Sequence, residues 1–354
     1  MHPHPASEAD GRAPNPGRRD LLKAGLGAAL AGGSSLGLLR GARADSAVVR
    51  LKLGNDLPAS HSVNRRLGEA IAAITAETQG RLVITLFPNN QLGGDPGMIA
   101  QLRAGALELA TMPGTVLSTL IPATALTGVG FTFTGYEKVW PAIDGAVGDH
   151  VRERIAASGI VPFRAVWDNG FRQITSSTHP IRSPEDLRNF KIRLPTVALW
   201  VSMFHALGAA PTSIPLAEAY PALQTRVADG QENPLALINA AKFYEVQRYC
   251  SLTNHAWDGF WLLASGKVWA RLPEGLRAVM AKHFDAAAFR QREDNAAATA
   301  TLRATLEGRG LVFNGTDPIR FRQALAGTDF YVRARQRFGG EAWDLLERHV
   351  GAVG

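Results

Sequence analysis

Residues 184–234, PEDLRNFKIRLPTVALWVSMFHALGAAPTSIPLAEAYPALQTRVADGQENP, switch repeatedly between helical and extended patterns. Pro184 to Asn189 reads as a short helix. In KIRLP (Lys191 to Pro195), Phe190, Ile192 and Leu194 alternate with Lys191 and Arg193, the period of a half-buried strand, and Pro195 stops it. Val197 to Leu207 reads as a helix, Ala210 to Ser213 as a strand, and Leu216 to Asp229 as a helix ended by Gly230. Gln231, Glu232 and Asn233 of DGQENP then fall on a loop or strand, and Pro234 opens a helix to about Phe243. Alternation of this kind predicts an α/β fold with a mostly parallel sheet, whose ligands sit at the carboxyl ends of strands. It also sets Arg193 away from the apolar face of its strand. A planar, permanently charged guanidinium there suits two parallel bonds to a carboxylate, and a structural ion pair is the competing use of the same residue.

Toward the N-terminus the pattern repeats. VVRLKLG (Val48 to Gly54) alternates like a strand, Asn55 to Ser62 is a loop, and Asn64 to Gln79 is a helix stopped by Gly80. Arg81 to Phe87 is a second strand, Pro88 to Gly97 a turn-rich loop, Met98 to Ala104 a helix capped by Gly105, and Leu107 to Met112 a third strand. Beyond Tyr136 a helical stretch to Ser158 leads to a long strand, Val161 to Asp168, and Gly170 marks a bend where the chain passes between lobes. Phe260 to Ser265 reads as a strand recrossing to the first lobe. Pro273 to Glu307 is a long helix with Leu276, Val279, Met280, Phe284 and Ala287 on one side, suited to a strut across both lobes.

The first 44 residues read as an export signal. Arg18-Arg19-Asp20-Leu21-Leu22-Lys23 is followed by the apolar run Ala24 to Leu39 and the small-x-small sequence Ala42-Arg43-Ala44, and the paired arginines resemble the twin-arginine type. The apolar run is shorter than a membrane-spanning helix requires. Of the 354 residues, 46% are hydrophobic and 19% charged, enough for a sizeable core and two lobes. The formal charge is +7, but residues 1–44 carry six Lys/Arg and three acids, so 32 basic and 28 acidic residues remain, a net +4. Those charges are interspersed, which argues against a nucleic-acid partner. The single cysteine, Cys250, excludes an internal disulfide and a thiolate metal cage.

Catalytic signatures are missing from residues 45–354: no G-x-S-x-G, H-E-x-x-H or phosphate-binding loop is present there, and no metal or cofactor is expected. Asp229 and Glu232 read as capping and solvated groups at a helix end, not as an acid/base pair. His61 and His255 read as single and unpartnered. Tryptophans 167, 200, 257 and 261 suit either a pocket wall or the core.

The runs VVRLKLGNDLPASH, GRLVITLFPNNQLGGD, ELATMPG, NGFRQITSS, KIRLP, GAAPTSIPLAEAYPALQTRVADGQENPL and FYEVQRYCSLTNH together resemble the extracytoplasmic solute-binding subunit of TRAP (tripartite ATP-independent periplasmic) transporters. The resemblance spans nearly the whole chain after the signal, and residues 209–255 are similar to the sialic-acid-binding members. It implies two hinged α/β lobes closing on an organic acid, a long helix straddling both, and membrane transporter subunits as partners of a periplasmic monomer. It implies Arg193 as the carboxylate holder, Asn233 as its partner amide, Arg172 as a second arginine, Asn55 or Asp56 as a loop polar group, and Asp95 as an acid near the cleft. The chain departs from the sialate-binding pattern at Pro113, where an acid is usual, and at Leu216, where a phenylalanine is usual. With Trp167 and Trp200 adding apolar wall, these departures imply a carboxylate smaller or less hydroxylated than sialic acid. The expected organisation is a signal (1–44), a first lobe (45–168), a second lobe (169–258), a return with the spanning helix (259–300) and a C-terminal helical segment on the second lobe (301–354). An exported α/β enzyme acting on a carboxylate and a ligand-binding partner of a membrane sensor kinase are the alternative functions.

Overall fold

The computed structural model describes residues 47–354. The export signal, its twin-arginine pair and its cleavage point lie outside the described residues.

Eleven strands are present among the described residues: β1 (Val49–Gly54), β2 (Leu82–Phe87), β3 (Leu109–Pro113), β4 (Ile160–Pro162), β5 (Trp167–Ser176), β6 (Lys191–Leu194), β7 (Ala210–Ser213), β8 (Gly230–Pro234), β9 (Tyr249–Leu252), β10 (Trp257–Ser265) and β11 (Val312–Gly315). They run in the order β2-β1-β3-β10-β5-β8-β6-β7, with β4 beside β10, β9 beside β5, and β11 beside β9. In the first lobe β1 is parallel to β2 and β3, and in the second β6 is parallel to β7 and β8. Two long strands, β5 and β10, join the lobes and pair antiparallel to each other. The parallel strands follow from helices folded back between them, and the antiparallel pair from the chain crossing over and returning.

The expected long strand from Val161 is two strands. β4 stops at Pro162, and β5 starts at Trp167 and continues through Gly170 to Ser176. The bend therefore lies inside a strand. Its ladder to β10 pairs Asp168 with Gly259 and Gly170 with Asp258, with a register shift between Asp258 and Gly259. Gly170 has φ +111°, a value that a side-chain-bearing residue adopts only under strain. At Gly259 a Cβ would come within 2.6 Å of Val166 Cγ1, so only glycine lets the strands approach this closely.

The long helix Glu274–Glu307 spans 34 residues, about 51 Å at 1.5 Å per residue. It clamps the crossing. Gln291 accepts a hydrogen bond from Asp168 N (2.8 Å) and donates to Asp168 O (2.9 Å), while Asn295 donates to the same carbonyl (3.0 Å). Arg292 pairs with both oxygens of Asp144 (2.7 and 2.9 Å), its guanidinium 3.9 Å from the Trp140 ring centroid. The Asp168 carboxyl accepts from Tyr136 (2.8 Å) and Trp257 (2.9 Å).

One expectation about the C-terminal segment is corrected. Helix Pro318–Ala326 packs by the turn Pro184–Leu187, and Phe330–Phe338 packs on Ala198–Ala206, but the last helix, Gly340–Val350, packs on Tyr136–Ile143 and Ala146–Ala157. Trp343 and Leu346 are buried in the same apolar cluster as Ile143, Val147 and Val151, so the segment bridges the lobes. No helix among the described residues is long and apolar enough to cross a membrane.

Candidate functional site

The carboxyl ends of β1, β3, β6 and β8 converge on one cleft, with Arg193, Asp56, Asp95, Thr115, Asn233 and Asp258 among its lining residues. Arg193 occupies the third position of β6, in register with Thr212 of β7 and Gln231 of β8. Its neighbours Ile192 and Leu194 are fully buried on the apolar side. Arg193 is itself only 1% exposed. Its Nε donates to Ile214 O (2.7 Å), but Nη2 is enclosed with no partner. A buried charged donor left bare is costly, so this atom marks where an acceptor belongs. Burial lowers the Arg193 pKa to about 10.

Arg172, on β5 just past the crossing, also lines the cleft, but its charge is already matched. Its Nε and Nη2 grip both carboxylate oxygens of Glu232, and Nη2 also reaches Asn233 Oδ1 (2.8 Å). Its guanidinium lies 4.5 Å from the ring centroid of Trp200, whose Nε1 donates to Gly128 O (2.8 Å). His255 Nε2 sits 3.0 Å from Glu232, and Thr253 Oγ1 2.8 Å from His255 Nδ1. Burial raises the Glu232 carboxyl, but the Arg172 charge and the His255 bond outweigh it and hold the group below its usual value. Two sequence expectations are thereby corrected. Glu232 is a fully buried ion-pair partner, not a solvated cap, and His255 is partnered. The reason is that β8 pairs with β5, which faces Glu232 inward beside Arg172.

Asn233 is held at both ends of its amide: Oδ1 accepts from Arg172, and Nδ2 donates to Gln231 Oε1 (2.6 Å). On the opposite wall Asp258 accepts from Thr115 Oγ1 (2.7 Å) and Gly259 N (3.0 Å), and burial pushes its carboxyl up to about 6. Asp56 and Asp95 each keep a buried Oδ1 without a partner. Asp95 sits in the first turn of helix Asp95–Ala104, which starts earlier than the glycine-rich sequence suggests.

Eight of the ten residues that the sequence analysis placed at the cleft line it: Arg172, Arg193, Asn233, Asp56, Asp95, Pro113, Leu216 and Trp200. Two do not. Asn55 turns away, donating to Asn64 Oδ1 (2.7 Å) and accepting from Leu57 N (3.1 Å), and thereby pins the loop that presents its neighbour Asp56. Trp167 is fully buried in an apolar cluster with Leu109, Phe260 and Phe284, because the first residue of β5 faces the core. Trp200 is the tryptophan that lines the cleft. Sequence reasoning missed Thr115 and Asp258, which meet only because β10 recrosses beside β3. Among the described residues no three His, Cys, Asp or Glu side chains converge as a metal site.

Comparison with known proteins finds relatives of the chain. An uncharacterized protein of Sinorhizobium fredii is 36% identical over 264 residues, covering 75% of this chain, and the chain spans about half of that relative's length (48%). A solute-binding protein of Roseobacter denitrificans is 34% identical over 281 residues, 77% of this chain and 84% of that protein. The crystal structure of that protein, described as a TRAP periplasmic solute binding protein with bound L-galactonate, superposes with a TM-score of 0.79 over 85% of this chain and 98% of the other, at 29% identity. A succinate-bound TRAP periplasmic solute binding protein of Sulfurospirillum deleyianum superposes with a TM-score of 0.80 over 87% of this chain and all of the other, at 26% identity. The model of bacterial extracellular solute-binding proteins, family 7, matches residues 53–327. The chain belongs to that family.

Proposed function

We propose that the protein is the extracytoplasmic solute-binding subunit of a TRAP-type transporter, capturing an organic acid and delivering it to the transporter's membrane subunits. The observation that carries this reading is Arg193 Nη2, a buried cationic donor with no partner, aimed into a cleft at the carboxyl ends of parallel strands. A ligand carboxylate satisfies it, and in a desolvated cleft that contact is worth more than at an exposed surface. Arg172 and Asn233, fixed by Glu232 and Gln231, frame the carboxylate position, while Asp56, Asp95, Pro113 and Leu216 face the rest of the ligand. Lobe closure about Asn169–Gly170 and Asp258–Gly259 shuts out water. Residues 1–44 act as a twin-arginine-type signal and deliver the protein to the periplasm, where it works as a monomer. Relatives with bound succinate and L-galactonate support carboxylate capture.

The test is a thermal-shift screen of the purified protein against a panel of organic acids. Stabilisation of several degrees by at least one carboxylate, absent with the matching amide, is the expected result; a flat panel counts against the reading.

A further inference from the structure

The loop after β1 gives Asp56 and Leu57 to the cleft and Ser60 and His61 to a second pocket beside it. Helix Leu235–Ala240 is shared in the same way, Leu237 lining the cleft and Asn239 the pocket. Both lobes build this pocket. His61 and Arg65 come from the first, while Lys242 and Arg309 come from the second, where Arg309 leads into β11 beside β9.

Three cations, Arg65, Lys242 and Arg309, line the pocket against one acid, Asp294. Arg66 already grips both oxygens of Asp294 (2.7 Å each), and Arg65 stands 3.9 Å from it. Neither Lys242 nor Arg309 pairs with a carboxylate among the described residues. Arg309 is fixed in place: Nη1 donates to Asn239 Oδ1 (2.6 Å), and the guanidinium lies 4.7 Å from the Tyr244 ring centroid. Lys242 has φ +57° just past the end of helix Leu235–Ala240, a left-handed position that glycine or asparagine takes with less strain.

His61 adds a neutral donor. It is buried, and its Nδ1 accepts from Val63 N (3.3 Å), which caps helix Ser62–Glu77 and leaves the ring proton on Nε2. That Nε2 is enclosed with no partner. Burial, and then the charge of Arg65, lowers the His61 pKa to about 4, so the ring stays neutral. The first turn of the same helix carries no acidic residue, and Arg65 follows it, so its own side chains leave the positive end of the helix uncompensated.

We propose that this pocket is a second binding site, for a small tetrahedral oxyanion of the phosphate or sulfate class, held by His61 Nε2, Lys242 and Arg309 with Arg65 at its edge. Such an anion presents acceptors in several directions, which suits donors converging from separate elements better than the single fork of a carboxylate does. Because the donors come from both lobes, occupancy favours the lobe arrangement in which they share one pocket. The site is independent of the carboxylate reading of the cleft.

The experiment is scanning fluorimetry at pH 7.5 with inorganic phosphate, the ionic strength held constant with sodium chloride. For a Kd of about 1 mM, about 20 mM phosphate raises the Tm of the wild type by about 3 °C. Arg193→Met shows the same shift, which separates this pocket from the cleft arginine. Lys242→Asn combined with Arg309→Gln keeps a residue suited to the left-handed turn, melts within about 2 °C of the wild type without phosphate, and loses the shift. His61→Asn keeps an acceptor at the helix cap, removes the Nε2 donor, and raises the phosphate Kd roughly tenfold by titration calorimetry. A wild type that ignores phosphate, a double variant that responds as the wild type does, or an unchanged Kd in His61→Asn overturns the inference. A response lost in Arg193→Met assigns the phosphate to the cleft and overturns it as well.

Discussion

Arg193→Met separates a residue that holds a ligand from one that holds the fold. The substitution removes the guanidinium and keeps a long unbranched side chain. The Arg193 side chain makes one hydrogen bond, to Ile214 O, and leaves Nη2 bare. Its pKa, lowered by burial to about 10, says that the folded state disfavours the cation. For a base whose folded pKa is depressed, the charged form costs stability at every pH below that pKa. Here the cost is up to about 3 kcal/mol, against about 1 kcal/mol for the lost hydrogen bond. The unliganded variant is therefore as stable as the wild type, or melts a few degrees higher. Binding moves the other way. Truncating one partner of a buried, hydrogen-bonded charge pair costs about 2 to 5 kcal/mol, or about 30- to 5000-fold in Kd. Scanning fluorimetry without ligand, paired with titration of whichever acid stabilises the wild type, reads both quantities. A structural ion pair predicts the reverse, a lower Tm with near-normal affinity, and that outcome would falsify the assignment of Arg193 to the site.

Three further outcomes follow from the buried charges and the crossing. Glu232→Gln leaves Arg172 buried without a counter-charge; the expected cost of about 3 to 5 kcal/mol lowers the Tm by roughly 5 to 8 °C, and an unchanged Tm refutes the pairing. Asp258 has a folded pKa of about 6, above the usual 3.8, so the stability it contributes is full below about pH 4 and is lost as the pH rises through 6. Between pH 4 and 7.5 the wild type should lose up to about 3 kcal/mol relative to Asp258→Asn, and parallel Tm curves for the two proteins count against it. Gly170→Ala forces a Cβ onto φ +111° and within 3.4 Å of Pro234 Cβ, so urea unfolding should show a lower midpoint by about 1 to 3 kcal/mol with the slope unchanged.

The local rules that make strands and helices also made much of this site legible in advance. Arg193 was readable because its strand alternates cleanly, and the motif resemblance brought it together with Asn233, forty residues further on. What the sequence hid depends on pairing between distant segments. Nothing around Glu232 signals that β8 lies against β5 and so turns a charged residue at a helix end into the buried partner of Arg172. Asp258 and Thr115 are 143 residues apart and meet only through the antiparallel return of β10 beside β3. Trp167 failed as a site residue for the opposite reason. An aromatic at the start of a strand has two faces to choose from, and the choice was settled by Phe260 and Phe284 packing around it. Asn55 and Asp56 differ by one position, enough in an extended turn to exchange the residue facing the cleft with the one that braces the loop.

The cleft and the crossing are built from the same residues, which ties binding to the relation between lobes. Asp258 lines the cleft and stands at the register shift of β10, while Asn169 lines the cleft between Asp168, clamped by the long helix, and Gly170, with its positive φ. Rotation of one lobe against the other changes the backbone at these positions, and with it the placement of Asp258 beside Thr115 and of the Asn169 amide. The cleft also concentrates unfavourable groups: a desolvated guanidinium with a bare donor, two carboxyls with bare oxygens, and a third held largely by burial. A scaffold selected for stability alone would replace them with apolar side chains of similar volume. Their presence where both lobes meet means that a ligand satisfying them relieves several penalties at once, and does so only when both lobes contribute their groups. The free energy released by satisfying these atoms is the quantity available to favour the closed arrangement, so a ligand that satisfies only Arg193 should bind weakly and close the lobes poorly.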